Sequence, residues 1–298
     1  MNPWLAELRT LHPERDAERI VFIDASLEFP WDTQRSLELA FYRTYAVPSI
    51  AELLASTGEF TERAQKRYDD TQLLISAFCE LGYDAGIGKR ALARMNRIHG
   101  RFAIANEDFL YVLSTMVFEP IRWNARFGWR PLLEVERLAT FHFWREVGRR
   151  MAIRDIPSDY DDFERFNVEF ERDRFGRTEA GMRVAVATRD MFLDWFPGLP
   201  KRVGRPLVHA LLDEPLLDAL GFPHPPAVLR RTVEAGVRAR SLAVRALPPR
   251  RKPRLRTEER HRSYPGGYEI ERLGPPPLDE PPADRAAAAG VPSGLQAP

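Results

Sequence analysis

His99 stands in Lys89-Arg-Ala-Leu-Ala-Arg-Met-Asn-Arg-Ile-His-Gly-Arg-Phe102, where Leu92, Met95, His99 and Phe102 recur three or four residues apart. At helical spacing these four share one apolar face, with the imidazole on it. Arg90, Arg94, Arg97 and Arg101 form a basic stripe alongside. A histidine so placed is either a hydrogen-bonded core residue or a ligand, because its neutral ring nitrogen can bind a metal. The arginine row fits an anionic group lying along the helix, a phosphate or the propionates of a porphyrin. It fits a surface of ion pairs equally well.

A second pair lies on the stretch Pro131 to Met151, where Val135, Ala139, His142 and Glu146 share one face. A histidine and a glutamate at i and i+4 can hold one metal between them. Alternatively the glutamate orients the histidine, or the two simply hydrogen-bond within the helix. Other chemistries are excluded. Cys79 is the sole cysteine, so there is no thiol pair for zinc, an iron–sulfur cluster or an intramolecular disulfide. Di-iron carboxylate bundles need two Glu-x-x-His pairs, which this sequence does not hold. There is no Gly-rich phosphate loop and no Gly-x-Ser-x-Gly elbow. His12, His209, His224 and His261 read as structural or surface residues.

The elements that must position these residues are all helical. Asp32 to Tyr45 reads as a helix with Asp32 or Thr33 as N-cap, followed after Pro48 by a short helix to Leu54 and a stop at Gly58. Thr61 to Leu81 is one long amphipathic stretch with an apolar second half. Lys89 to Phe102, Glu107 to Phe118 and Pro131 to Met151 follow, the last with proline at its first position. The middle one is apolar on all sides from Phe109, so it is a buried central helix whose Ser114 and Thr115 bond back to its own carbonyls. Tyr160 to Glu171, Thr178 to Phe196, Pro206 to Leu220 and Pro226 to Leu247 complete the pattern. No alternating β run and no internal repeat occur. The expected fold is all-α: a large multi-helix, bundle-like domain over 29–247, preceded by an extension over 1–28. A basic Pro/Arg-rich segment, 248–274, is attached to it, and 275–298 reads as a disordered Pro/Ala-rich tail.

Over 298 residues, 44 lysines and arginines balance 43 acidic residues, so the net charge of +1 gives no sign of a nucleic-acid partner. The N-terminus lacks a signal-peptide pattern, and apolar runs of about ten residues fall short of the roughly 20 needed to cross a bilayer. With one cysteine, this points to a cytoplasmic protein. The basic run at 250–262 is either a solvated linker or a peripheral contact with anionic lipid.

Several motifs resemble one family as a set. They are Arg94-Met-Asn-Arg-Ile-His-Gly-Arg-Phe102, Asn106-Glu-Asp-Phe-Leu-Tyr-Val-Leu-Ser-Thr115, Phe118-Glu-Pro-Ile-Arg-Trp123, Phe127-Gly-Trp-Arg-Pro131, Phe141-His-Phe-Trp-Arg-Glu-Val-Gly-Arg-Arg-Met151 and Tyr264-Pro-Gly-Gly-Tyr268. The family is the ER-bound oxygenase of mycophenolic acid biosynthesis with its bacterial relatives, which shares a catalytic domain with rubber oxygenases. The resemblance spans roughly 29–273. It implies an all-helical protein carrying haem b and its iron, which uses dioxygen to cleave a carbon–carbon double bond of an isoprenoid or other apolar substrate. On that resemblance His99 is the leading haem-site residue, with Arg94 and Arg97 beside it in the catalytic helix and Arg101 with them toward the propionates. Rubber oxygenases place a proximal haem histidine in the helix matching Glu107–Phe118. Here that helix has Leu113 and neighbours without histidine, so ligation passes to His99 or His142, or this branch binds haem differently or not at all. The place matching a distal lysine holds Arg94, which cannot ligate iron at neutral pH. Two other readings stand beside this one: a non-catalytic helical lipid- or isoprenoid-binding protein, and a non-haem metal oxidoreductase using His142 and Glu146.

Overall fold

Residues 2–275 of the protein are described by a computed structural model. The sequence-based tail over 275–298 lies, from residue 276 onward, outside the described residues. Among the described residues there are fourteen α-helices and no strand, only an isolated bridge between His261 and Tyr264, as the all-α reading expects.

In chain order, α1 (Pro3–Leu8) and α2 (Ala17–Ile23) lead through a π-helical turn, Asp24–Glu28, into α3 (Pro30–Tyr45). α4 (Pro48–Ser56) and α5 (Glu59–Glu62) precede the antiparallel pair α6 (Ala64–Leu81) and α7 (Gly86–His99). The centre is formed by α8 (Asn106–Phe127) and α9 (Glu134–Arg150), followed by α10 (Tyr160–Arg174) and α11 (Glu179–Asp194). Three helices close the series: α12 (Lys201–His209), α13 (Glu214–Ala219) and α14 (Ala227–Ala246).

Several boundaries differ from the sequence-based ones, each for an identifiable reason. α3 opens at Pro30 rather than at an Asp32 cap. The Asp32 carboxylate is buried and accepts instead from the Trp123 indole (3.0 Å) and from Arg240 (2.8 Å). The expected long helix from Thr61 is interrupted at Arg63, whose non-helical backbone (φ −134°, ψ 42°) separates α5 from α6. α8 runs through Pro120 to Phe127. The proline removes one backbone donor, but the turn stays inside a packed helix, and the Asn124 amide donates to the Pro120 carbonyl (2.8 Å). Pro131 lies outside α9, whose first turn is closed by the Glu136 carboxylate accepting from the Leu133 N–H. The expected helix over 206–220 is two helices, because Asp213 caps a new start by accepting from the Leu216 N–H (3.1 Å).

The largest apolar cluster packs Phe78 of α6, Phe118 of α8 and Phe141 and Phe143 of α9 around one another. Leu8, Ile20 and Ile23, from the residues before Phe29, are fully buried in the same cluster. Ser114 and Thr115 bond back to the Tyr111 (2.6 Å) and Val112 (2.7 Å) carbonyls, so α8 crosses the core without an unsatisfied hydroxyl. After α14 the chain returns across the body. The Arg254 N–H reaches the Ser26 carbonyl (2.8 Å), and Ile270 and Leu273 bury themselves in the same core.

Candidate functional site

α6 and α7 lie close because Gly88 has no side chain: a Cβ there would stand 1.7 Å from the Gly82 carbonyl oxygen. That contact sets the α7 face bearing Met95, Ile98 and His99 over the α6 face bearing Arg67, Asp70 and Thr71. Between them, with walls from α3, α4, α8 and α9, is a cavity of about 220 Å³. Phe41, Leu54, Phe60, Phe109, Val112 and Trp144 make most of its lining apolar. This matches the usual form of a small-molecule site, an apolar pocket with few polar groups.

His99 is the polar group that α7 contributes. Its ring meets Phe109 edge to face, centroids 5.3 Å apart, and its Nδ1 is buried with no hydrogen-bond partner. Burial, followed by the positive charge of Arg67, lowers its pKa to about 4, so the imidazole is neutral at neutral pH. Arg67 donates to the Thr71 hydroxyl, and that hydroxyl in turn donates to the Arg67 carbonyl (2.9 Å). The Arg67 guanidinium lies over the Phe60 ring at 5.1 Å. Asp70 is almost completely buried, accepting from Lys66 Nζ (2.8 Å) and from the Tyr264 hydroxyl.

The returning C-terminal segment completes the wall through Gly274 and Pro275. Lys66 donates to the Gly274 carbonyl (3.0 Å), and Arg94 Nε to the Leu273 carbonyl (2.7 Å). Gly274 has φ +94°, a conformation that favours glycine, and a Cβ there would push aside the tip of the Ile98 side chain.

Of the candidate ligand and anion-binding residues named from sequence, the structure brings only His99 to the cavity wall, together with its apolar face partners Met95 and Phe102. Arg94 is committed to the returning segment, and Arg97 and Arg101 are near enough that their like charge adds to the burial that lowers its pKa. Neither Arg97 nor Arg101 lines the cavity. Arg90 pairs with Glu271 (2.9 Å). His142 is elsewhere: it is two residues from cavity-lining Trp144, hence on the far side of α9, with Nδ1 3.7 Å from Glu14. Glu146 is taken by Arg149 and Arg150, each at 2.8 Å, so His142 and Glu146 do not act as a pair. Among the described residues no group of three or more His, Cys, Asp or Glu converges as a metal site. Arg67, Asp70 and Thr71 escaped the sequence reading: their i, i+3, i+4 spacing places them on one helix face, but nothing local marks that face as enclosed.

Residues 38–246 match the family described as ER-bound oxygenase mpaB/B′/rubber oxygenase, catalytic domain. The chain belongs to this family. Three relatives, each named an ER-bound oxygenase, are 34% identical to it. The mpaB of Penicillium roqueforti (strain FM164) aligns over 146 residues, 47% of this chain and 49% of that protein. The mpaB and mpaB′ of Penicillium brevicompactum each align over 135 residues, 43% of this chain and 34% and 32% of those proteins. The aligned stretches thus cover about half or less of these curated relatives. The family match contains all of the cavity wall except Gly274 and Pro275, which lie beyond its end. Among the described residues no helix is long and apolar enough to cross a membrane.

Proposed function

We propose that the protein is a haem-dependent oxygenase that takes an apolar small molecule into the cavity between α6, α7 and α8, with His99 as the iron ligand. The observation that carries this reading is the neutral imidazole of His99, whose buried Nδ1 has no partner, on the wall of an apolar cavity. Membership of an oxygenase family supports the reaction class. The lining suits an iron porphyrin in kind, with a neutral nitrogen ligand, apolar walls for the macrocycle and Arg67 for an anionic edge; at about 220 Å³ the cavity is smaller than the macrocycle, so its walls would have to part to admit one. Haem, when bound, supplies the redox chemistry of dioxygen.

The chain's own side chains have the remaining tasks. The apolar wall from Phe109 to Met116 excludes water and favours a hydrocarbon substrate over a polar one. Arg67 is held in place by Thr71 and carries a fixed positive charge into this dry space, where it attracts a carboxylate or a developing negative charge more strongly than it would in water. Asp70, held between Lys66 and Tyr264, ties that polar corner to the returning segment.

The test is the absorption spectrum of the purified protein supplied with haem, repeated on His99→Ala and His142→Ala. The expected result is a Soret band in the wild type and in His142→Ala, and its loss or shift in His99→Ala. A haem-free, colourless protein that co-purifies with lipid would overturn the proposal and favour a binding protein. A band lost only in His142→Ala would move the site to α9.

A further inference from the structure

α14 is anchored to the body in an unusual way. Of its 20 residues only Ser241 is buried, and its strongest ties are polar. Arg230 donates to the Leu212 carbonyl (2.7 Å), Glu234 pairs with Arg126, Arg240 with Asp32 (2.8 Å), and the Ser241 hydroxyl donates to the Phe127 carbonyl. The opposite face is exposed and regular, with Arg238 at its edge also pairing with Glu234 (3.7 Å). Val228, Ala235 and Leu242 recur every seven residues, as do Arg231, Arg238 and Arg245, and so do Thr232, Ala239 and Ala246. Val228 is 75% exposed, Leu242 66%, and Leu247 just past the helix 65%, three of the most exposed large apolar side chains described. The exposed cations continue into Arg250, Arg251 and Lys252. No aspartate or glutamate occurs between Glu234 and Glu258, although the whole chain is nearly neutral.

We infer that this outer face of α14, together with the turn through Lys252, lies against an anionic lipid bilayer surface. A helix with apolar residues along a central row and arginines beside it suits the boundary between acyl chains and headgroups. The arginines meet the lipid phosphates, while Val228, Leu242 and Leu247 enter the acyl boundary. A nucleic acid would satisfy the arginines alone and give no use to the exposed apolar row. The face ends near Lys252 because the chain beyond it is held to the body. The Arg254 N–H is bonded to the Ser26 carbonyl (2.8 Å), the Arg256 N–H to the Glu80 carboxylate (2.7 Å) and the Ser263 N–H to the Asp69 carboxylate (2.9 Å). The expected contact over 250–262 therefore shifts toward the N-terminus, onto the helix. This inference does not depend on haem.

The experiment is vesicle co-sedimentation of the full chain. It uses phosphatidylcholine vesicles and phosphatidylcholine–phosphatidylserine vesicles, with a duplex DNA gel shift as a parallel arm. Two surface variants are compared, Val228→Ser/Leu242→Ser/Leu247→Ser and Arg231→Ser/Arg238→Ser/Arg245→Ser. The expected result is binding to the mixed vesicles only, weakened about tenfold or more by either variant and by added salt. In a third variant, Leu242→Trp, the added indole should shift its emission to the blue on mixed vesicles, which reports insertion directly. Absence of binding to the mixed vesicles, or binding indifferent to the apolar variant, would overturn the inference. DNA binding lost only in the arginine variant would reassign the face to nucleic acid.

Discussion

His99 and Asp24 are both driven to their uncharged forms by burial, and this acts on stability in opposite directions along the pH axis. The folded His99 holds its pKa at about 4, below the unfolded value, so the native state binds fewer protons than the unfolded chain between the two. Stability from this group therefore falls as pH drops from about 6.5 toward 4. Asp24 is the reverse. Its oxygens meet no donor, and burial, then the neighbouring Glu136 carboxylate, push its pKa well above 3.8. The unfolded chain releases the Asp24 proton first, so this group's contribution falls as pH rises above 3.8. Asp24→Asn should accordingly be more stable than wild type by on the order of 1 kcal/mol at about pH 8, with the difference shrinking toward pH 4. Thermal melts across that range check it; a variant less stable at every pH would contradict the account. His99 was legible in the sequence because an apolar stripe at helical spacing surrounds it. Arg67, Asp70 and Thr71 were not, because polar residues at those positions read as a solvated face. They are enclosed only by contacts such as Tyr264 to Asp70, 194 residues apart, which leave no local signature.

At the scale of elements, the site depends on how α6 and α7 meet. Gly88→Ala puts a methyl group 1.7 Å from the Gly82 carbonyl oxygen, and that obstacle is backbone, which cannot swing aside as a side chain can. The two helices must separate, and a loss of about 2–3 kcal/mol is expected. Because α7 carries His99, any Soret band from added haem should weaken in the same variant. Denaturant unfolding and the Soret absorbance measure the two effects; unchanged unfolding would rule out this packing. The helices themselves were legible from periodicity, whereas their ends often were not. Pro120 is a strong stop signal, yet α8 continues past it, because burial on both sides holds a helix that one lost hydrogen bond cannot end. Asp32 has the residue type of a cap but serves Trp123 and Arg240 instead, and only the distant Arg240 makes that choice visible.

At the scale of the whole molecule, the returning segment from Arg254 to Pro275 adds the last part of the cavity wall, through Gly274 and Pro275. Arg94 is one of its fasteners. Arg94→Ala should cost about 1 kcal/mol and hasten proteolytic cleavage between 260 and 275, while leaving any Soret band in place. A lost band with unchanged proteolysis would instead return Arg94 to the cofactor. The sequence placed this segment beside the domain but did not show that it forms part of the cavity, since Pro-Gly-Gly and scattered arginines carry no periodicity. Its position has a consequence for synthesis on the ribosome. Gly274 and Pro275 follow every other lining residue in the chain, so the wall they complete is the last to be made. Throughout translation of the preceding residues the apolar interior stays open on one side. A nascent chain stalled before residue 254 would thus expose this surface to chaperones and proteases.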